Sequence, residues 1–260
     1  MEMEGSVCLV TGATSGIGWA TALRLLDPEV NAKVIALGRD SSALDGLAVA
    51  ARQEGYPEDR LVGIPADLSD PADVDLAVQE ALSAFGRVDV LVNNAALGWA
   101  GPFWEQEPGS ADYLVQVNLI APIRLTRAVI PGMLERRSGA IVNVASIAGH
   151  VGVKDEAVYG STKAGLIGFS ESLRYELEGS GVQVSVVSPG AVQTSFFERR
   201  GRPYGRSFPR PITPEQVADT VVRAIRSGRP QLYAPRWMAF PVWLRGTWPG
   251  LYRMLAGRFG

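Results

Sequence analysis

Short apolar runs separated by helical segments recur along the whole chain, and this alternation constrains the fold more than any other feature. The runs are rich in β-branched residues, most are too short for helices, and they lack the polar alternation of a half-exposed strand. Such strands are typical of parallel sheets that are covered on both faces. We therefore predict seven buried parallel strands, at Val7–Val10, Val34–Leu37, Leu61–Ile64, Val88–Val92, Ile141–Val144, Val182–Val187 and Gln231–Tyr233.

Helix start and stop signals lie between these runs. Asp70–Pro71 offers a capping side chain followed by a proline for the first turn, and Gly86 is placed to end that helix. Thr213–Pro214 and Gly228 bracket another helix in the same way. Because strands and helices alternate from end to end, we predict one α/β domain over residues 1–260, a doubly wound Rossmann-type domain with a seven-stranded parallel sheet flanked by helices.

Composition narrows the functional classes. The net charge of −2 gives no reason to expect nucleic acid as a partner. The single cysteine, Cys8, cannot form an internal disulfide, which favours a cytoplasmic location. The N-terminus lacks a leader pattern, and no run of roughly 18 apolar residues predicts a membrane-spanning helix. With one histidine, His150, and no clustered cysteines, we expect no metal site.

Two segments near the C-terminus interrupt the alternating pattern. Residues 190–212 are rich in Arg, Gly, Pro and Phe and carry no predicted strand or helix. Long loops of this kind in compact domains are usually functional, so we name this stretch the substrate loop. Residues 235–260 form the C-terminal tail. Residues 199–260 hold 12 arginines against Glu215 and Asp219 as the only acids.

The C-terminal tail interleaves aromatic and basic side chains. This composition is typical of a segment that lies in a membrane interface, but it also suits a cover over a pocket or a contact with another subunit. Pro241 and Pro249 interrupt any long amphipathic helix, so we favour packing or an oligomer contact and leave peripheral membrane contact open. The side chains in question are Trp237, Phe240, Trp243, Trp248, Tyr252 and Phe259 with Arg236, Arg245, Arg253 and Arg258.

The first predicted strand runs into a glycine-rich segment, Thr11–Gly18, which we call the glycine turn, and then into a helix. Glycines at such a place let the chain turn tightly, bring backbone N–H groups close to a pyrophosphate, and let the helix pack against the strand. An ordinary tight turn is the alternative. We predict a dinucleotide site with contacts from Gly12, Thr14, Ser15, Gly16, Ile17 and Gly18.

The residues after the second strand bear on cofactor choice. A carboxylate about twenty residues past the glycines holds the ribose 2′-hydroxyl in NAD sites and repels a 2′-phosphate. Here that place is taken by Gly38, followed by Arg39, whose guanidinium can pair with a phosphate. Asp40 tempers the inference, but it is also placed to cap the next helix. We therefore predict NADP(H), with NAD(H) less favoured.

Further polar motifs follow in order along the chain. Asn93-Asn94-Ala95-Ala96 ends a strand, and Val117-Asn118 lies within a helix. Ser146 follows a strand, and Tyr159-Gly-Ser-Thr-Lys163 opens a helix. Together with the glycine turn, these motifs resemble the short-chain dehydrogenase/reductase family, in its compact single-domain branch, over roughly residues 5 to 195.

The resemblance implies further cofactor contacts. Asp67 matches the acid that contacts the adenine, and Pro189–Gly190 with Thr194 match the nicotinamide carboxamide site. Ala96 stands where the family normally has glycine, which puts the local backbone geometry in question. Outside the glycine turn, the implied cofactor-binding residues are Arg39, Asp67, Leu68, Asn94, Ala95, Tyr159, Lys163, Pro189, Gly190, Val192 and Thr194.

Tyr159 and Lys163 are four residues apart, so both lie on one face of a helix. A tyrosine pKa is ordinarily about 10, and we predict that the Lys163 ammonium lowers the pKa of Tyr159 towards neutrality. Tyr159 would then exchange a proton with the carbonyl oxygen while the Ser146 hydroxyl stabilises that oxygen. The resemblance gives Asn118 a water that links the lysine to solvent; the alternative is a polar residue that satisfies a helix backbone defect.

These residues predict an NADP(H)-dependent carbonyl reductase or alcohol dehydrogenase acting on an apolar substrate. The alternatives are the isomerase, epimerase or dehydratase chemistry of larger relatives, and a catalytically silent nucleotide-binding sensor or scaffold. The resemblance implies a homodimer or homotetramer built on the helices that hold Asn118 and Tyr159. We expect an apolar substrate pocket lined by Leu97, Trp99, Phe103, Trp104, Val151, Val153, Phe196 and Phe197, with His150 as a further lining residue.

Overall fold

All seven predicted strands are present, each within three residues of its expected bounds. The structure is a computed structural model that describes residues 1–206 and 208–259, with side chains described as far as residue 256 except at 207. Arg258 and Phe259 of the predicted tail therefore lie outside the described side chains. The strands are β1 Val7–Thr11, β2 Lys33–Gly38, β3 Leu61–Pro65, β4 Val90–Asn93, β5 Gly139–Val144, β6 Val182–Pro189 and β7 Gln231–Ala234.

The strands form one parallel sheet in the order β3-β2-β1-β4-β5-β6-β7. The strand order reverses between β1 and β4, where Cys8 pairs with Val90 and Val10 with Val92. In an open parallel sheet, ligands bind outside the carboxyl ends of the strands at such a switch point. The glycine turn after β1 and the segment after β4 meet there. The predicted doubly wound Rossmann-type fold is confirmed.

Helices cover both faces of the sheet, as the alternating sequence pattern predicts. Residues 58–60, 103–105 and 236–238 add short 3₁₀ turns. The α-helices are α1 Gly16–Leu26, α2 Ser41–Gln53, α3 Pro71–Phe85, α4 Pro108–Val115, α5 Ala121–Glu135, α6 Ile147–His150, α7 Ala157–Glu176, α8 Phe196–Arg199, α9 Pro214–Ser227, α10 Ala239–Thr247 and α11 Pro249–Phe259.

The helix ends follow the local signals in the sequence. Asp70 caps α3 by accepting from the N–H of Ala72, and Gly86 ends it in the left-handed conformation. Thr213 and Gln216 form a reciprocal capping box at the start of α9. Asp40 caps α2 by accepting from the N–H of Ala43, so its carboxylate is engaged in the fold.

The core consists of two apolar layers, one on each face of the sheet. Successive residues of a strand point to opposite faces, so β1 contributes to both layers. Cys8 and Val10 pack in the layer under α1 and α9. Val7 and Leu9 pack in the layer under α3 and α5. Burial raises the pKa of the Cys8 thiol to about 12, so Cys8 is an inert core residue.

One continuous helical stretch, Pro108–Glu135, joins α4 and α5 through a π-helical segment at Gln116–Ile120. By length and composition alone it could cross a membrane, contrary to the expectation from the apolar runs. Within the fold it packs against α3 and α7, and Asn118 in its middle is fully buried. We therefore assign it as a core helix of the domain.

The two C-terminal segments are more ordered than the sequence predicts. The substrate loop contains α8, and its two ends are tied by a parallel bridge between Val192 and Ile212. Within the loop, Phe197 lies against Tyr204, with ring centroids 5.0 Å apart, and the Arg200 guanidinium stacks over Phe197. The sequence of the loop shows no helix or strand periodicity that would reveal these contacts. The expectation of a structureless loop was therefore wrong.

Candidate active site

A cavity of about 1570 Å³ lies at the carboxyl ends of the strands, at the switch point between β1 and β4. Pockets for small ligands are commonly about 300–1,000 Å³, so this one has room for a dinucleotide and a second molecule. Gly18 and Asn118 are the two predicted site residues that do not line it. Those that do are Gly12, Thr14, Ser15, Gly16, Ile17, Arg39, Asp67, Leu68, Asn94, Ala95, Ser146, Tyr159, Lys163, Pro189, Gly190, Val192 and Thr194.

The glycine turn has the geometry that a pyrophosphate cradle requires. Gly12 and Gly16 have positive φ angles of 66° and 54°, which other residues rarely adopt. A side chain at Gly18 would place its Cβ 2.1 Å from the carbonyl oxygen of Gly12, so the first turn of α1 packs directly on the turn backbone. The cradle therefore fits a dinucleotide whose phosphates approach the N-terminus of α1.

The segment after β4 is bonded to this turn. The Thr11 hydroxyl accepts from the N–H groups of Asn94 and Ala95, at 2.9 and 3.0 Å. The Asn94 amide donates in return to the carbonyl oxygen of Thr11 at 2.9 Å. Ala96 does not have a positive φ, so alanine in place of glycine leaves the backbone there unstrained.

Gly38, at the end of β2, has no room for a side chain. A Cβ at this position would lie 2.3 Å from the Thr14 methyl carbon. A carboxylate at the end of β2 would therefore require Thr14 to move. The sequence already shows that no acid stands at this position. The packing against Thr14 gives the physical reason why position 38 is a glycine.

Arg39 and Asp67 face each other across the cavity rim. Arg39 donates to the Tyr113 hydroxyl at 2.6 Å. Burial opposes ionisation of Asp67, but hydrogen bonds from Ser69 and the charge of Arg39 hold the pKa of Asp67 below its ordinary value. The rim thus carries an ionised carboxylate and a guanidinium in the region where the adenosine half of a dinucleotide would lie.

Arg199 is a site residue that the sequence analysis missed. It comes from α8 in the substrate loop, and its two terminal nitrogens lie 3.3 and 3.4 Å from the Ser15 hydroxyl. Ser15 is the N-cap of α1, whose positive end already favours an anion. The Arg199 guanidinium and the positive end of the α1 dipole repel each other, so their proximity is favourable only when an anion lies between them. The excess of arginines after residue 199 was the available signal, but it did not identify which one reaches the turn.

Ser146 is the N-cap of α6, and the backbone of that helix holds its side chain. Its hydroxyl oxygen accepts from the N–H of Ala148 at 3.1 Å, which fixes the side chain and leaves its own hydrogen free to donate. Gly149 allows this arrangement, because a Cβ there would lie 2.7 Å from the backbone carbon of Lys163. The close approach of α6 to α7 brings Ser146 into the same cavity as Tyr159 and Lys163.

Tyr159 is buried, with its ring against Phe196 at a centroid distance of 5.4 Å. Burial raises the pKa of Tyr159 to about 12; the interaction with the Ser146 hydroxyl lowers it, the charge of Glu156 raises it, and that of Arg200 lowers it. The prediction of a pKa lowered by Lys163 is therefore wrong for the protein's own groups, because desolvation of the phenolate outweighs the nearby charges. Tyr159 is a neutral phenol at pH 7.

Lys163 is turned towards the sheet. Its Nζ donates to the carbonyl oxygen of Val144, the last residue of β5, at 2.9 Å. Burial lowers the pKa of Lys163 to about 8. Lys163 and Tyr159 thus share one face of α7, as predicted. Burial in the same low-dielectric surroundings favours the neutral form of both side chains.

Asn118 lies behind the cavity, in the π-helical segment. Its side-chain oxygen accepts from the N–H of Leu97, and its amide donates to the carbonyl of Leu97, both at 2.8 Å. The amide also lies 3.2 Å from the Thr162 hydroxyl on α7. Asn118 therefore fixes the segment after β4 to the helix that carries Tyr159. Its role in holding a water stays a prediction.

The apolar lining differs in part from the expectation. Phe103 and Trp104 are exposed, Trp104 at 83%, and Trp99 packs over Gly101 beside the cavity. His150 contacts Ser188 and Tyr233 and faces a small groove that adjoins the cavity at Gly152 and Tyr252 instead of lining the cavity itself. These predictions were wrong because sequence proximity does not fix on which side of a loop a side chain lies. The expected lining residues that do face the cavity are Leu97, Val151, Val153, Phe196 and Phe197.

The C-terminal tail supplies lining that sequence reasoning left undecided. Trp237, Phe240 and Leu244 face the cavity from one side, and Tyr252 faces it from α11. From the substrate loop, Arg200 forms an ion pair with Glu156, so its charge is neutralised within the wall. The tail therefore covers part of the cavity, one of the alternatives left open by the sequence.

Comparison with known proteins identifies the family of this chain. The family model for short chain dehydrogenases matches residues 6–204. The chain belongs to the short-chain dehydrogenase/reductase family. This confirms the resemblance seen in the motifs, and the protein is an oxidoreductase of that family with a site for a nicotinamide dinucleotide.

Individual relatives cover nearly the whole chain. It is 36% identical over 225 residues to the ketoacyl reductase HetN of Nostoc sp., spanning 86% of this chain and 77% of the relative. A short-chain dehydrogenase/reductase of Burkholderia phymatum in complex with NAD superposes with a TM-score of 0.84 at 27% identity, over 95% of this chain and 94% of the other. A short-chain dehydrogenase of Sphingobium yanoikuyae in complex with NADPH gives 0.80 at 30% identity, over 94% and 96%.

Proposed function

We propose that this protein is an NADP(H)-dependent ketoreductase that acts on a carbonyl compound with an apolar body. One observation carries the proposal: Ser146, Tyr159 and Lys163 face the same cavity as the glycine turn. A bound nicotinamide would supply or accept the hydride, and the side chains of this chain would handle the proton.

The proton chemistry follows from burial. Because burial raises the pKa of Tyr159 to about 12, Tyr159 carries its proton at pH 7, the form that a reduction needs. Ser146, whose oxygen already accepts from Ala148, has its hydrogen free to donate to the same carbonyl oxygen. Lys163 is the next buried group on that face of α7, placed to bind the nicotinamide ribose.

The preference for NADP(H) rests on the end of β2. Thr14 leaves no space for the carboxylate that would hold a 2′-hydroxyl, and Arg39 lies at the rim where a 2′-phosphate would be. The Asp40 carboxylate is engaged as the cap of α2, so it opposes that phosphate less than a free acid would. Solved relatives bind NAD as well as NADPH, so this preference is a property of the present side chains.

An apolar substrate fits the far end of the cavity. Leu97, Val153 and Phe196 surround Tyr159 there, and the C-terminal tail adds Phe240 and Leu244. A ketoacyl reductase among the relatives supports a ketone with an aliphatic chain. A cytoplasmic location and a homo-oligomeric state belong to the same proposal. No observation favours a catalytically silent sensor, since the serine, tyrosine and lysine that the chemistry needs are all retained.

The decisive experiment measures binding and turnover separately. Purified protein is titrated with NADPH and NADH, and oxidation of each is followed with a panel of apolar ketones, aldehydes and 3-ketoacyl thioesters. Tyr159→Phe should lower kcat by about 10²–10⁴ while NADPH binding is kept, because only the proton donor is removed. Tyr175→Phe, an exposed tyrosine on the same helix, is the matched control and should behave like wild type. NADPH binding without turnover on any carbonyl would overturn the proposal.

A further inference from the structure

The outer side of the C-terminal tail carries an exposed apolar surface, which we call the aromatic patch: Trp243, Trp248, Leu251 and Met254. Trp243 and Trp248 are 55% and 61% exposed, and Met254 is 56% exposed. The two indole rings lie together, with centroids 6.4 Å apart. With Phe240 beside Trp243 at a ring distance of 6.0 Å, the exposed apolar area is roughly several hundred Å², as large as the largest patch on a typical monomer.

Helix α10 explains why this surface is apolar. Its first six residues, 239–244, are apolar, so this part of the helix has no polar side; Arg245 and Thr247 follow at its C-terminal end. Leu244 is buried and faces the cavity, Phe240 lies at the cavity edge and is 61% exposed, and Trp243 points outward. A helix that is apolar all round is normally buried in a core or in lipid. Here one half is covered by the protein and the other half is not.

The charged residues of the C-terminal tail all carry a positive charge. No acidic residue follows Asp219 in the sequence. Arg236, Arg245 and Arg253 are exposed on the same segment. Arg245 donates to the carbonyl oxygen of His150, which anchors the tail to α6. Within the described part of the chain, the groove between the tail and residues 149–152 is lined by Arg245 and Arg253 and by no acid.

The aromatic patch adjoins the mouth of the cavity. The tail follows β7, so it lies at the carboxyl ends of the strands, where the cavity opens. Trp237 lines the cavity and stacks on Phe208, which is 71% exposed, so cavity wall and outer surface are continuous. Aromatic side chains therefore lead from the outer surface into the cavity on this side.

We propose that the aromatic patch binds the surface of an anionic lipid bilayer and presents the cavity mouth to it. Tryptophan and methionine suit the boundary between headgroups and acyl chains, and the surrounding arginines suit anionic headgroups. A symmetric contact with a second copy would instead set the arginines of the two tails against each other, and the tail has no acid to pair them, which disfavours self-association through this face.

Vesicle flotation tests this without substrate, so it is independent of the proposed reaction. Full-length protein is mixed with vesicles of phosphatidylcholine alone or of phosphatidylcholine with phosphatidylglycerol, at low and high salt. Wild type should float with the anionic vesicles, and less so at high salt. Trp243→Ser/Trp248→Ser should bind about tenfold more weakly. Arg236→Gln/Arg253→Gln should lose the preference for phosphatidylglycerol.

Matched variants keep the test sharp. Tyr175→Ser and Arg127→Gln remove an exposed aromatic and an exposed arginine from other helices and should float like wild type. Tyr159→Phe should also float normally, whatever its activity. Thermal unfolding checks that each variant is folded. The proposal is overturned if wild type floats with neither vesicle, if the tryptophan variant floats equally well, or if sedimentation shows a dimer that this variant dissociates while no flotation occurs.

Discussion

The glycine turn and the cavity mouth, where the segment after β4 meets the substrate loop, are built differently. At the glycine turn, backbone meets backbone: the first turn of α1 lies against the carbonyl of Gly12, and no side chain fits between them. At the mouth, side chain meets side chain. Gly98 faces the end of the Phe196 ring and the Cβ of Arg200, both from the substrate loop.

This difference teaches where the protein can adapt. A backbone contact has no rotamer with which to relieve a clash, whereas an aromatic ring at the end of a loop can swing. The nucleotide end is therefore fixed in shape, and the mouth is free to change with the substrate. Three predictions are ordered from the largest expected effect to the smallest: the first tests this contrast, and the other two test the electrostatics of the cavity floor and of the nucleotide end.

Two glycine substitutions compare the regions directly. In Gly18→Ala the new Cβ meets the Gly12 oxygen, so we expect a loss of about 3 kcal/mol in the free energy of unfolding and loss of NADPH binding. In Gly98→Ala the Phe196 ring can move, so we expect a loss below about 1 kcal/mol, with any kinetic change confined to substrate KM. Chemical denaturation and nucleotide titration measure both. Equal destabilisation by the two changes would refute the contrast.

The buried Lys163 predicts a pH dependence of stability. Its pKa falls from 10.5 to about 8 on folding, so between those values the unfolded chain binds more protons and stability rises with pH. Relative to Lys163→Met, wild type should gain roughly 2 kcal/mol from pH 8 to pH 10. Cys8 and Tyr159, with their raised pKa values, act in the opposite direction at high pH, but both proteins contain them. A difference that is flat over this range would mean that Lys163 is not desolvated.

Variants of Arg39 and Arg199 should distinguish contacts with the 2′-phosphate from contacts with the pyrophosphate. Arg39→Gln should weaken NADPH binding by about 10- to 100-fold and leave NADH binding unchanged, because only NADPH carries the 2′-phosphate. Arg199→Gln should weaken both nucleotides by the same factor of about three, because Arg199 lies beside the turn that faces the shared pyrophosphate and is exposed to solvent. Nucleotide fluorescence titration gives all four constants. Loss of NADH affinity in Arg39→Gln would contradict the assignment to the 2′-phosphate.

Much of the fold and of the nucleotide end could be predicted from the sequence because their signals are local. Asp70, Gly86 and Gly228 mark helix ends by the backbone conformations that they cap or adopt. The spacing of Tyr159 and Lys163 places both on one side of α7, whatever surrounds that helix.

Electrostatics at the site could not be predicted in this way. The sign of the Tyr159 pKa shift depends on how completely the phenol is buried, and that depends on Phe196 from a segment 37 positions away. A charge four residues along a helix is visible in the sequence, but the desolvation that outweighs it is not.

The sequence by itself determined the succession of strands and helices along the chain, the position of the glycine turn and the placement of Tyr159 and Lys163 on one face of a helix. Only the tertiary structure decided that Arg199 reaches Ser15, that Trp104 faces solvent and that the tail lines the cavity on one side while exposing Trp243 on the other. The physical reason is how far apart along the chain the interacting residues lie. Backbone conformation and helical spacing are set by neighbours in the chain, whereas burial and the direction of a loop side chain are set by segments that meet only when the sheet has formed.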